Sequence, residues 1–189
     1  MLKRLILTAT LVAAVTTMPG ISISQRSSYG ILGQKAPNWG VGEWYNLGEG
    51  VERIEVSDFR GKIVYLFGFQ SWCPGCHSHG FPTLQAVEAH YQDNEDVVFV
   101  AIQTVFEGYQ VNTSHKAKST VDQFDLDIPV GHDAGNGAGS VVMRRYRAGG
   151  TPWAVIIDRN GYVRFNGFSI QSAQAVSLID RLLKQPARG

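Results

Sequence analysis

The chain has 189 residues, 44% hydrophobic and 17% charged, which supplies apolar material for one globular core but not comfortably for two. Seventeen basic residues against sixteen acidic ones leave a formal charge of +1, and this excludes the electrostatic footprint that nucleic acid binding requires. The only two cysteines, Cys73 and Cys76, exclude a disulfide-stapled scaffold, because a bridge stabilises mainly by closing a long loop and this one encloses almost nothing.

Residues 1–24 have the layout of an export signal. Lys3 and Arg4 form a positive start, Leu5 to Val15 is mostly apolar, and Pro19-Gly20 breaks any helix before the small residues Ser22 and Ser24. The apolar run is shorter than the ~20 residues of a spanning helix, so the expectation is cleavage before Gln25, no stable membrane insertion afterwards, and a periplasmic or secreted product. In such a compartment disulfides persist. Residues 25–50 lack periodicity and read as a partly ordered lead-in, and residues 51–189 read as one folded domain.

Within that domain Val51 to Val56 alternates as a short strand, and Asp58-Phe59-Arg60-Gly61-Lys62 is a polar turn. Ile63 to Phe69 is almost wholly apolar, β-branched or aromatic, as in a central strand covered on both faces. A helical pattern follows from Pro74, with Phe81, Leu84, Val87 and Tyr91 on one stripe and Pro82 predicting a kink. Val97 to Ile102 is a second buried strand. The polar stretch 103–126 turns helical from about Ser114, Ile128 to Val130 is a short strand, and Gly131 to Gly139 is a Gly-rich loop. Ser140 to Tyr146 is a short helix. Trp153 to Ile157 and Tyr162 to Phe165 form a hairpin across Asn160-Gly161, and a final amphipathic helix uses Ala175, Leu178, Ile179, Leu182 and Leu183. Strands alternating with helices and ending in a hairpin predict an α/β fold: a central mixed β-sheet flanked by helices.

Cys73 and Cys76 stand where a strand gives way to a helix. A thiol in the first helical turn faces unpaired backbone N–H groups and the positive end of the helix dipole, which favours thiolate. Cys73 is therefore the expected nucleophile, and Cys76, one turn deeper, the resolving thiol. Pro74 suits a first turn, where its missing N–H costs nothing, and Gly75 lets a partner chain approach. Trp72 precedes the nucleophile and is expected to shield one side of it.

The segments Arg60-Gly61-Lys62-Ile63-Val64, Trp72-Cys73-Pro74-Gly75-Cys76, Gly150-Thr151-Pro152 and Ile157-Asp158-Arg159-Asn160-Gly161 together resemble the thioredoxin-like redoxins, in particular the exported TlpA/ResA-like group beside the AhpC/TSA family. The resemblance runs from about Val51 to the C-terminus. It implies a thioredoxin-like fold with an N-terminal strand extension and thiol-disulfide oxidoreductase activity. It also implies a cis peptide at Pro152 beside the cysteines, with Thr151 pairing to a substrate segment. Three departures from that pattern stand out. Phe67 occupies the position of the buried acid that thioredoxin places six residues before its first cysteine. Pro82 lies six residues after the second cysteine rather than five. His77, Ser78 and His79 replace the acid often found after the motif.

Other chemistries fit parts of the pattern. Cys73-Pro74-Gly75-Cys76-His77 also satisfies the C-x-x-C-H signature of covalent haem c attachment, although a strand–helix junction leaves little room for that cofactor. Cysteines with His77, His79 or His132 present soft donors for copper or zinc, but His132 reads as a loop residue and the other two as an exposed helix flank. Peroxidase chemistry needs a Pro and a Thr or Ser before the reactive Cys, where Phe69-Gln70-Ser71-Trp72 stands. Arg144, Arg145 and Arg147 read as a solvated basic run, and Gly135 to Gly139 lacks the Lys of a phosphate-binding loop. The expectation is a two-cysteine exchange cycle on protein disulfide or thiol substrates, without cofactor or metal, fed by an upstream donor such as a membrane electron carrier. The Pro74-Gly75 dipeptide and Thr151 resemble the reducing members, and residues 103–126 are the expected place of partner specificity.

Overall fold

Every residue of Ile63–Phe69 is buried, so this strand, β2, needs cover on both faces and a partner on each edge. The computed structural model describes residues 29–186 and supplies both. On one edge β2 runs parallel to β3 (Val97–Thr104), and on the other antiparallel to β5 (Trp153–Ile157). Beyond β3 lies the parallel β4 (Val130–Asp133), then β1 (Glu43–Tyr45), antiparallel and at the edge. Beyond β5 lies the antiparallel β6 (Val163–Gly167), so the order is β1-β4-β3-β2-β5-β6. The fold is the predicted mixed α/β sheet, and the segment 1–24 read as a signal lies outside the described residues.

Alternation of side chains along β2 divides the core in two. Ile63, Tyr65, Phe67 and Phe69 face α1 (Phe81–His90), α2 (Ser114–Asp122) and α4 (Ser172–Leu183). Val64 and Leu66 face α3 (Val141–Tyr146) and residues of the segment before β2. That segment includes the fully buried Trp39, whose indole N–H donates to Tyr146 Oη at 3.2 Å. The predicted hairpin forms, with Asp158 Oδ1 accepting from the Asn160 and Tyr162 N–H groups at 2.9 Å each, as an Asx turn does.

Three element predictions need correction. Val51 to Val56 is not a strand. Glu55 turns its carboxylate to the Gly40 N–H (2.9 Å) and caps a 3-10 turn at Val56–Phe59, while the true N-terminal strand is the three-residue β1. The strand expected at Ile128 to Val130 begins at Val130 and runs to Asp133, so His132 is a sheet residue rather than a loop residue. The helix after the cysteines opens as a π turn, Cys76–Gly80, in which the Phe81 N–H donates to the Cys76 carbonyl. A π turn takes one residue more than an α turn, which accommodates the one-residue displacement of Pro82, the second residue of α1.

Gly80 fixes how close this helix can come to the sheet. A Cβ there would lie 2.5 Å from the Phe67 ring and 3.0 Å from Pro152 Cβ. Phe67 cannot yield, because Phe69 stacks on it and Phe81 meets its edge. Helix propensity alone makes Gly80→Ala stabilising by about 1 kcal/mol, whereas overpacking costs about 1–3 kcal/mol. We expect overpacking to win, lowering stability by about 1–2 kcal/mol in urea denaturation of the reduced protein. A Gly80→Ala variant as stable as the parent would refute the close approach.

Candidate active site

After Phe69 the chain leaves the sheet through Gln70-Ser71-Trp72, and the Cys73 N–H donates back to the Gln70 carbonyl at 3.0 Å. Cys73 thereby sits at the mouth of the helix. The Cys76 N–H donates to Cys73 Sγ at 3.2 Å, and the His77 N–H to the Cys73 carbonyl at 3.2 Å. Both thiols are free and buried, Cys76 completely. Opposite them the Thr151–Pro152 peptide is cis. A Cβ on Gly75 would meet Pro152 Cδ at 3.3 Å, so the cysteine turn and the proline loop are in contact where only glycine fits without displacement.

The two thiols have opposed acidities. Cys73 is lowered to about 6, first by the hydrogen bond from the Cys76 thiol, then by the Thr151 hydroxyl and the Cys76 and Gly75 N–H groups, against a raising effect of burial. Cys76 is held well above the ordinary thiol range, first by that same bond to Cys73 and then by burial, while the Gln70 backbone and the Thr151 hydroxyl pull it down. The pair shares one proton, and that proton stays on Cys76. Cys73 is therefore mostly thiolate at neutral pH, the form that attacks disulfides.

Several groups behave differently from the sequence expectations. Phe67 is buried under the helix, confirming that no carboxylate occupies that position. His77 is not on an exposed flank: its Nε2 donates to the Ser71 carbonyl at 2.7 Å and its ring packs against both Phe81 and Phe124, which stack on each other. His79 is exposed, with Nδ1 2.7 Å from Ser78 Oγ. His132 lies half-buried on β4, 2.7 Å from the Gln103 side-chain amide, and burial lowers its basicity. Among the described residues no three His, Cys, Asp or Glu side chains converge as a metal site would require. Covalent haem attachment also fits poorly, since both thiols are buried and the Nε2 of the would-be axial His77 is already committed.

A buried polar cluster beside the cysteines escaped the sequence reading. Asn112 Oδ1 accepts from the Ser71 N–H at 2.9 Å, and Asn112 Nδ2 donates to Gln70 Oε1 at 3.0 Å and to the Glu107 and Gly108 carbonyls at 3.1 and 3.2 Å. Gln103 bridges Ser71 Oγ and His132. This cluster ties the turn before Cys73 to the 105–112 loop. Its signal in the sequence was Gln103 at the end of an apolar strand, with Gln70 and Ser71 following another. Trp72 is exposed, its indole nitrogen lying against Gly108. On the Pro152 side a cleft of about 320 Å³ runs between Phe67, His79, Pro152 and Phe168.

The thiolate band near 240 nm should titrate with a midpoint near pH 6 for Cys73 in the reduced protein. Cys76→Ala removes the largest lowering contribution and should move the midpoint upward further than Thr151→Val does, while Cys76→Ser, which keeps a donor, should move it least. A midpoint above pH 8 in the parent protein would contradict this electrostatic picture.

Comparison with known proteins agrees with the geometry. ResA of Bacillus cereus, named a thiol-disulfide oxidoreductase, is 29% identical over 132 residues, covering 70% of this chain and 66% of ResA, just under two thirds of that relative. Among solved structures, a thioredoxin-like superfamily protein is 31% identical with a TM-score of 0.74, covering 82% of this chain and 99% of its own. A thiol-disulfide isomerase from Corynebacterium glutamicum is 32% identical with a TM-score of 0.67, covering 80% and 98%. A model of the AhpC/TSA family matches residues 32–166, from the segment before β1 into the last strand, and the chain belongs to that family.

Proposed function

We propose that this protein is an exported thiol-disulfide oxidoreductase that reduces disulfides in other proteins through Cys73 and Cys76. The observation that carries the reading is the geometry of the pair: Cys73 Sγ accepts the Cys76 N–H at the start of a helix, and Cys76 is fully buried behind it. The hydrogen bond between the thiols lowers the pKa of Cys73 and raises that of Cys76, the division of labour that exchange needs. The Cys73 thiolate attacks a substrate disulfide, forming a Cys73–substrate bond and releasing one substrate thiolate. Cys76, as thiolate, then attacks the Cys73 sulfur, closing Cys73–Cys76 and releasing the second substrate thiolate. Two electrons pass to the substrate, and an upstream dithiol donor, a membrane carrier in this reading, returns them.

The missing acid at Phe67 does not stop the second step. What holds the proton on Cys76 is chiefly the Cys73 thiolate, and that charge disappears once Cys73 is bound in the mixed disulfide. Cys76 then becomes easier to ionise, with the Gln70 backbone and the Thr151 hydroxyl left to stabilise its thiolate. In this reading Thr151 serves both thiols in turn, Pro152 holds it against them, and Trp72 shields the exposed side. Export rests on the layout of residues 1–24 and places the cycle in the periplasm or outside the cell, where protein disulfides are the available substrates. Among the described residues no helix is long and apolar enough to cross a membrane.

Insulin reduction tests this reading. Cys73→Ser should fall to the uncatalysed rate, Cys76→Ser should accumulate a mixed disulfide on Cys73, and the remote Lys184→Ala should keep parental activity. Thr151→Val should lengthen the life of the mixed disulfide about fivefold, the worth of one hydrogen bond of about 1 kcal/mol. Equal activity in Cys73→Ser and the parent would refute the assignment.

A further inference from the structure

The loop after β3 carries three apolar or aromatic side chains into solvent beside the exposed Trp72, which precedes Cys73. Phe106 is 38% exposed, Tyr109 43% and Val111 56%, and Trp72 next to them is 46% exposed. Clustered exposure of this kind marks an interaction surface. The loop is not loosely held, because Asn112 clamps the Glu107 and Gly108 carbonyls to Gln70 and to the Ser71 N–H, one residue before Trp72. Phe106 and Tyr109 also form one wall of an open trough of about 620 Å³, whose other walls include Tyr29, Met143, Arg144 and Arg147. Tyr29 meets Phe168 edge-on at 6.3 Å, and Phe168 lines the cleft beside Pro152. Gly108, in the same loop as Phe106 and Tyr109, lies against the indole nitrogen of Trp72, so the wall of the trough reaches the residue just before Cys73.

Its charge has one sign. Arg144 donates through Nη1 to the Ala138 and Gly139 carbonyls (2.9 and 2.5 Å), which fixes the guanidinium over the trough without neutralising it, and it forms no ion pair among the described residues. Among the described residues no acidic side chain lines the walls; Glu107 shares the loop but lies outside them, and Asp133 is buried and occupied by Ser140 Oγ and the Val142 N–H.

We propose that this trough is the docking site for a polypeptide segment of the substrate protein that carries an aromatic or large apolar residue next to carboxylates, a few residues from the reacting cysteine. The proposal rests on the thiol-disulfide reading and names the substrate class for it. Aromatic walls take the apolar side chain, Arg144 takes the carboxylates, and the Asn112 clamp keeps that grip in register with Cys73. The basic run that reads as a solvated face in the sequence thus gains a ligand.

The test uses the full chain and three disulfide peptides identical except for an arm of Phe-Glu-Glu, Phe-Lys-Lys or Gly-Ser-Gly, with neutral hydroxyethyl disulfide as a fourth substrate. The Phe-Glu-Glu peptide should show a kcat/KM roughly fivefold or more above the Phe-Lys-Lys peptide, a difference that shrinks in 0.5 M salt, as expected for rim charges near about one Debye length. Arg144→Glu should reverse the ratio, and Phe106→Ser with Tyr109→Ser should shrink the advantage of the Phe-Glu-Glu peptide over the Gly-Ser-Gly peptide while keeping its preference over Phe-Lys-Lys. Because the ratio is read within each variant, a change in folded fraction cancels. Equal rates for the three arms in the parent protein, or a ratio unchanged by Arg144→Glu, would overturn the docking site. Failure of the parent to reduce hydroxyethyl disulfide or any peptide would instead overturn the thiol-disulfide reading.

Discussion

Cys73 and Cys76 meet at a junction that buries Cys76 completely and Cys73 almost so, and the helix carrying Cys76 comes this close because only hydrogen projects from Gly80 towards Phe67 and Pro152, with Gly75 also held against the Pro152 ring. The rest of the site follows from that contact. Close approach buries Cys76, burial and the neighbouring thiolate keep its proton on, and the donated hydrogen bond makes Cys73 acidic. The same approach brings the Thr151 hydroxyl within reach of both sulfurs. The π turn belongs to this arrangement too, since it absorbs the extra residue before Pro82 without pushing Gly80 off the sheet.

The chemistry was legible in the sequence because it is local. Cys-Pro-Gly-Cys after a buried apolar run specifies a strand–helix junction, and the central strand, the Asn160-Gly161 hairpin and the amphipathic last helix each carry their own period. What failed was non-local. The edge strand β1 is three residues long and exists through its pairing with β4, so no alternation announces it, while Val51 to Val56 alternates but finds no neighbouring strand. His77 and His132 were placed on the surface because helix and loop positions usually lie there. Packing against Phe81 and Phe124, and the Gln103 side chain across the sheet, decided otherwise.

The polar cluster of Gln70, Ser71, Gln103 and Asn112 shows how a site can be stiffened without a titratable group. These side chains are buried and bonded mostly to one another and to backbone, so they hold the turn before Cys73 without adding charge near the thiols. A carboxylate at position 67 would sit under the helix and compete with Cys73 for the Cys76 proton. With Phe67 there, proton control passes to the thiol pair itself, and the aromatic stack of Phe67, Phe69 and Phe81 supplies the rigid floor.

This balance sets the redox poise. Stabilising the Cys73 thiolate stabilises the reduced form, and one pKa unit corresponds to about 1.36 kcal/mol, or about 30 mV for a two-electron couple. Thioredoxin, with a nucleophile near pKa 7, stands at about −270 mV, and strong oxidants with a nucleophile near 3.5 stand at about −120 mV. A Cys73 value of about 6 lies one unit from the first and more than two from the second. The decisive measurement is the equilibrium potential of the Cys73–Cys76 couple in glutathione buffers at pH 7. A value near about −240 mV is the result predicted for a disulfide reductase, and one at or above about −150 mV, or no intramolecular disulfide at all, would contradict it.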